Sequence, residues 1–170
     1  MTDARTTIDV GSASAVHALE IWGGDAAGRV AALIGFALPP AGRTAGGGTL
    51  RAIRVEPLVW LLDGAALDPA AIEAVLGDDG ALTAIGGGLV RVRIAGPDWR
   101  ALLMADGVFD VEDPGFAPGC AAATIVAHVA VRLHVLDAET CEAFVPASFA
   151  TDLVHGWSES ARIVTLLAEP

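Results

Sequence analysis

Leu19-Glu20-Ile21-Trp22-Gly23-Gly24-Asp25 and Val92-Arg93-Ile94-Ala95-Gly96-Pro97-Asp98 spell the same local plan twice. Each is an apolar strand, a glycine-bearing turn that ends in Asp, and then a short helical run closed by glycine at Gly35 or Gly107. The segments that follow also align. Thr49-Leu50-Arg51-Ala52-Ile53-Arg54-Val55 leads to Leu62-Asp63, and Thr124-Ile125-Val126-Ala127-His128-Val129-Ala130 leads to Leu136-Asp137, with a helix after each. Two strand-helix-strand-strand-helix units predict an α+β fold of two tandem ferredoxin-like (βαββαβ-type) units from an internal duplication. The expected division is a flexible N-terminal tail over 1–14, a first repeat over 15–80 and a second over 81–170, packed together as one body.

Working outward, Val16–Trp22 predicts the first strand, and Asp25 caps a helix through Ile34. Leu38–Gly48 is rich in Gly and Pro and reads as a loop. Strands are predicted at Thr49–Val55 and Leu58–Leu62. The helix after them carries the sharpest signals: Asp68 as cap, Pro69 as first helical residue, an Ile72, Val75, Leu76 stripe, and Gly77 as stop. Ala81–Ile85 and the alternating Leu89–Ile94 predict strands, the latter with Val90, Val92 and Ile94 on one face and Leu89, Arg91 and Arg93 on the other. Trp99, Leu102 and Leu103 mark the inner side of a helix opened by Pro97. Strands are expected at Val108–Val111, Ala122–His128, Val129–Leu136 and Ala143–Val145. A final helix over Ser148–Leu167 places Phe149, Leu153, Trp157, Ala161, Val164 and Leu167 on one arc, opposite Asp152, His155, Glu159 and Arg162.

Composition narrows the function. Hydrophobic residues make up 54% of the 170, and charged residues 18%, enough to build a core and too apolar for a disordered chain. No run approaches the roughly 20 apolar residues of a spanning helix. Met1-Thr2-Asp3-Ala4-Arg5 lacks the basic-then-apolar layout of a signal peptide, so a cytoplasmic protein is expected. The net charge of −11 repels phosphate backbones and anionic membranes, which argues against nucleic acid and membrane partners. Cys120 and Cys141 are too few for a disulfide framework and fit no metal spacing; free, partly buried thiols are expected.

No catalytic motif stands out. Gly23-Gly24 to Gly28 is spaced GGxxxG rather than GxGxxG and reads as a tight turn. Gly46-Gly47-Gly48 and Gly86-Gly87-Gly88 lead into strands, with no lysine to follow. Ser148, Ser158 and Ser160 lie near His155 in sequence, without a nucleophile elbow. What remains is a basic set on an acidic protein. His128, Arg132 and His134 point away from the row Val129, Val131, Leu133, Val135, and with Arg91 and Arg93 they form a candidate face for a partner or an anion. No catalytic, cofactor-binding or metal-ligating residue is expected in the chain.

Several stretches carry a resemblance. They are Ile94-Ala95-Gly96-Pro97-Asp98-Trp99-Arg100-Ala101-Leu102-Leu103, Gly107-Val108-Phe109-Asp110-Val111, Phe116-Ala117-Pro118-Gly119, Ala123–Val131, Val145-Pro146-Ala147-Ser148-Phe149-Ala150 and, earlier, Glu56-Pro57-Leu58-Val59-Trp60-Leu61-Leu62. Together they resemble the gamma subunit of heterotetrameric sarcosine oxidase, over residues of about 50 to 165. That family is related in fold to the folate-binding aminomethyltransferase of glycine cleavage, which implies a duplicated ferredoxin-like architecture. The resemblance implies an accessory subunit in sarcosine catabolism. Its partners would be larger alpha and beta flavoprotein subunits, which hold FAD, FMN, NAD and the tetrahydrofolate site; this chain itself would bind none of them. The sequence departs from the family at Ala123 and Ala147, where the family often carries Arg, and at Ala84-Ile85-Gly86, where Asp-Leu-Ser is common. The expected function is therefore a non-catalytic subunit of an oxidoreductase complex. A stand-alone binder of folate or another small anion is the alternative, with an independent small enzyme third.

Overall fold

The computed structural model describes residues 5–167. Its strands are β1 (Thr7–Ser12), β2 (Val16–Ile21), β3 (Arg43–Gly47), β4 (Leu50–Arg54), β5 (Val59–Asp63), β6 (Gly80–Ala84), β7 (Leu89–Ala95), β8 (Ala121–Val126), β9 (Val129–Asp137) and β10 (Thr140–Pro146). Its helices are α1 (Ala26–Ile34), α2 (Pro69–Leu76), α3 (Trp99–Asp106) and α4 (Ala150–Leu167). The fold is α+β, with two antiparallel five-stranded sheets ordered β3-β4-β5-β2-β6 and β1-β7-β10-β9-β8. Among the described residues, no helix is long and apolar enough to cross a membrane.

The chain divides into two units. Ala13–Gly87 forms one, and the other joins the segment ending at Ser12 to the segment beginning at Gly88. In the first, Leu19, Ile21, Ala52, Trp60 and Leu62 on the sheet pack against Val30 of α1 and Ile72 and Leu76 of α2. The sharpest local signals hold here. Asp68 is extended and its carboxylate accepts the Ala71 N–H, Pro69 starts α2, and Gly77 ends it. Asp25 occupies the cap position of α1 without a side-chain capping bond; Gly35, left-handed at φ 84°, closes that helix.

In the second unit, Val92, Ile94, Val131, Leu133, Val135, Ala143 and Val145 meet Trp99, Leu102 and Leu103 of α3 and Leu153, Trp157 and Ala161 of α4. Three of the four tryptophans are buried, and two of these satisfy the indole N–H on backbone carbonyls, Trp60 on Pro39 and Trp99 on Ala138.

Several expectations change. Thr7–Ser12, expected within a loose tail, pairs along β7 from Thr7 opposite Ala95 to Ser12 opposite Val90; residues 1–4 lie outside those described. The boundary expected between 80 and 81 falls after Gly87 instead, because β6 pairs with β2 as an edge of the first sheet. Arg43–Gly47, expected as loop, is a strand paired with β4. Val108–Val111 makes no strand; only Gly107 bridges to Val126. Ala147–Phe149 is a 3-10 turn ahead of α4, so Phe149 leaves the inward arc and stands 49% exposed. The side chain of Leu167 lies outside those described.

The two sheets share one strand order, and it aligns the two units differently from the sequence pattern. Sheet order places β2, α1, β3, β4, β5 and α2 in correspondence with β7, α3, β8, β9, β10 and α4. Thr49–Val55 therefore corresponds to β9, not to the segment beginning at Thr124. The edge position beside β2 is filled by β6, and the equivalent position beside β7 is filled by β1.

Candidate functional site

Strand alternation in the second unit builds the candidate face. On β10, Cys141, Ala143 and Val145 point into the core, which turns Glu142 and Phe144 to the opposite side. Pairing then sets two rows across the sheet. Asp9, Arg93, Glu142 and His134 lie abreast, and next to them Gly11, Arg91, Phe144 and Arg132. Four of the five expected residues, Arg91, Arg93, Arg132 and His134, thus share one sheet face.

His128 does not join them. It is the second residue of the two-residue turn between β8 and β9, flanked by the Val126–Val129 pair. Ala127 and His128 both have positive φ, 47° and 66°, the backbone of a type I′ turn that normally recruits Asn-Gly. The expected strand through His128 ends two residues early for that reason.

The face is not simply basic. Glu142, only 6% exposed, sits in its middle with its carboxylate 3.5 Å from the Arg91 guanidinium and 3.9 Å from His134 Nδ1. Arg91 also donates from Nε to the Ser12 carbonyl, and its guanidinium lies 5.3 Å from the centre of the buried Phe144 ring. Arg93 is exposed, and His134 is buried. An anion arriving here would have to compete with a carboxylate already in place. The alternation Cys141-Glu142-Ala143-Phe144-Val145 carried the signal for Glu142; a strand begun only at Ala143 leaves that residue out.

The other motifs resolve as structure. At the Gly23-Gly24 turn, the carboxylate of Asp79 fills the space a phosphate would need: a Cβ on Gly24 would lie 2.3 Å from it. Asp79 also pairs with Arg29 at 2.7 Å, and its carbonyl accepts the N–H groups of Trp22 and Gly23. Ser158 donates to the Val154 carbonyl one turn back in α4, and His155 is exposed. Among the described residues, no group of three His, Cys, Asp or Glu side chains is placed to hold a metal ion.

Cys120 and Cys141 are free and buried. Burial pushes the Cys141 thiol up to about 12, against smaller lowering by a hydrogen bond with His134. At neutral pH this sulfur is a protonated core atom rather than a nucleophile. Iodoacetamide at pH 8 is expected to leave Cys141 unmodified in the folded chain and to alkylate it fully in 6 M guanidinium, read by peptide mass spectrometry. Labelling of Cys141 at the unfolded rate in the folded protein would contradict the burial.

No family model and no curated protein sequence matches the chain. Solved structures do. Heterotetrameric sarcosine oxidase from Corynebacterium sp. U-96, in complex with pyrrole 2-carboxylate, contains a chain matched with a TM-score of 0.85 at 21% identity; the match covers 95% of this chain and 86% of that one. The glycine cleavage system aminomethyltransferase T from Bartonella henselae matches with a TM-score of 0.59 at 17% identity, over 91% of this chain and 46% of the enzyme. The chain thus shares its fold with a chain of heterotetrameric sarcosine oxidase and, more loosely, with part of the aminomethyltransferase.

Proposed function

We propose that the chain is a non-catalytic, gamma-like accessory subunit of a flavoenzyme complex of the sarcosine oxidase type. In this reading the complex oxidatively demethylates sarcosine or a related N-methyl amine in the cytoplasm and passes the methyl carbon to tetrahydrofolate. Flavins, NAD and folate reside in larger alpha- and beta-like partners, and this chain binds none of them. The observation that carries the reading is the extent of the likeness: nearly the whole chain superposes on nearly the whole of one chain from a four-subunit oxidase. The aminomethyltransferase, by contrast, has more than half its length outside the match. The matched strand orders of the two units, with β1 and β6 in the same edge position, favour a duplicated ferredoxin-like origin with one edge strand supplied by the segment that precedes the first unit.

Exposed apolar side chains agree with an accessory role. In the second unit Val108 is 77% exposed, Phe149 49% and Ile125 46%, surfaces a partner would cover. A pull-down from the native host with the full chain as bait tests the proposal. The expected eluate is yellow and contains a large flavoprotein. A colourless eluate without a flavoprotein sinks the subunit reading.

Binding of folate or another small anion at the Arg91, Arg93, Arg132 face is the second reading, favoured by the fold likeness to the aminomethyltransferase. Glu142 at the centre of that face weighs against it.

A further inference from the structure

A cavity of about 270 Å³ opens in the second unit beneath the Ala127–His128 turn, between the end of α3 and the first turns of α4. Its wall is apolar, from Leu153 and Trp157, and its rim carries Asp106, Asp152, His128 and Phe149. We propose that this cavity is the socket for an arginine side chain of the larger partner. The inference deepens the subunit reading and rests on it.

Charge points to a cation. Asp106 is the last residue of α3; its carbonyl accepts the Ala127 N–H, but its carboxylate still sits at the negative end of the helix, which is unfavourable until a positive group arrives. Asp106 and Asp152 form no ion pair among the described residues. None of the chain's own ten arginines lines the cavity, and there is no lysine to do so. His128 is the basic side chain the unit itself brings to the rim, and among the described residues it pairs with neither carboxylate.

The lining points to arginine in particular. A guanidinium is planar and weakly hydrated and stacks on aromatic rings, and its methylene stem buries well against apolar walls. Phe149 stands half exposed at the mouth, where the 3-10 turn has thrown it out of the helix's inward arc. A free small cation would leave that ring wet; an arginine carried on a protein surface brings its own cover.

Gly156 gives an independent sign that the space is open. It lies inside α4, where glycine costs about 1 kcal/mol relative to alanine. A Cβ built there meets no atom within 4 Å, so packing inside the chain does not require glycine at this position. The open helix face adds room to the cavity at the expense of helix stability.

The test compares the flavoprotein recovered with the wild-type chain for its affinity toward wild type, the double variant Asp106→Asn/Asp152→Asn, and Gly156→Met. Both acidic side chains are exposed, so the amide variants keep the fold, checked by circular dichroism. Both variants are expected to bind about 30-fold more weakly or worse, the scale of a lost anchor residue. The wild-type affinity should fall more steeply with salt than that of the amide variant. A photo-crosslinking benzoylphenylalanine in place of Phe149 should capture a partner peptide that contains arginine. Wild-type assembly with both variants within about twofold overturns the socket while the subunit reading stands; so does a crosslinked peptide without arginine. Failure of the wild type to capture a flavoprotein overturns both.

Discussion

Trp157→Ala is expected to destabilise the second unit by about 3–5 kcal/mol, the range for emptying a buried tryptophan site. Trp157 is 1% exposed and stands where α4 meets the sheet, in one core with Trp99, Leu133 and Val145. Backbone on both sides restrains collapse into the void, since α4 is a long helix and the sheet beneath it is paired strand by strand. Urea unfolding followed by far-ultraviolet circular dichroism should show the midpoint falling with little change in slope. The expected size separates packing from polarity. The indole Nε1 of Trp157 is buried with no hydrogen-bond partner, so Trp157→Phe removes volume without orphaning an acceptor. Trp60→Phe in the first unit would leave the buried Pro39 carbonyl without its donor and should add a penalty of about 1–3 kcal/mol for that group. A Trp157→Phe loss as large as that of Trp60→Phe would contradict this account.

Glu142→Ala carries the second large effect, a destabilisation of about 2–4 kcal/mol. Removing the carboxylate takes away the charge 3.5 Å from the Arg91 guanidinium on a face where Phe144 is buried and His134 is buried beside it. The value is set somewhat below that for a wholly enclosed pair because the Arg91 side chain keeps 22% of its exposure and can reach water. Removing both charges, as Glu142→Leu with Arg91→Met, should recover most of the loss, since two apolar side chains of similar volume need no desolvation of charge. Denaturant melts of the single and double variants form the test. Additive losses across the pair would mean that the two groups act independently. The same carboxylate offers a reading of the anion alternative: Glu142→Gln should tighten folate binding if the basic face is the site, and leave it unchanged if it is not.

Much of this architecture was legible in the residues, for reasons that differ by element. α2 announced itself through Asp68, Pro69 and Gly77, each acting on the backbone within one or two residues of itself. β7 was legible because Val90, Val92 and Ile94 alternate against Arg91 and Arg93, and the core buries one row. The misses share a physical cause: their structure is imposed from a distance. β1 alternates only over Ile8 and Val10 and buries little, with Val10 59% exposed; its conformation comes from β7, about eighty residues on. β3 is glycine-rich and is held by its ladder to β4. The Ala127–His128 turn lacks Asn and Gly, so its sharp reversal is enforced by the strands on either side rather than by turn chemistry. The candidate face was found in part: four of its basic residues follow from strand parity alone, whereas Glu142 needed the correct start of β10.

The edge position that β1 fills beside β7 has a consequence for how the protein is made. During synthesis this strand emerges well before its partner β7, which is separated from it by the whole of Ala13–Gly87. The intervening unit is contiguous in sequence and can close on itself while β1 waits, unpaired, for the rest of its sheet to leave the ribosome. The second unit thus carries contacts of long sequence separation, a slow kind of pairing because the loop must be closed before the strand is rewarded. β1 is thus made early relative to its sheet and placed late: severing the chain near Gly87 would divide one sheet between two pieces, leaving a bare β7 edge on one and a strand without a sheet on the other.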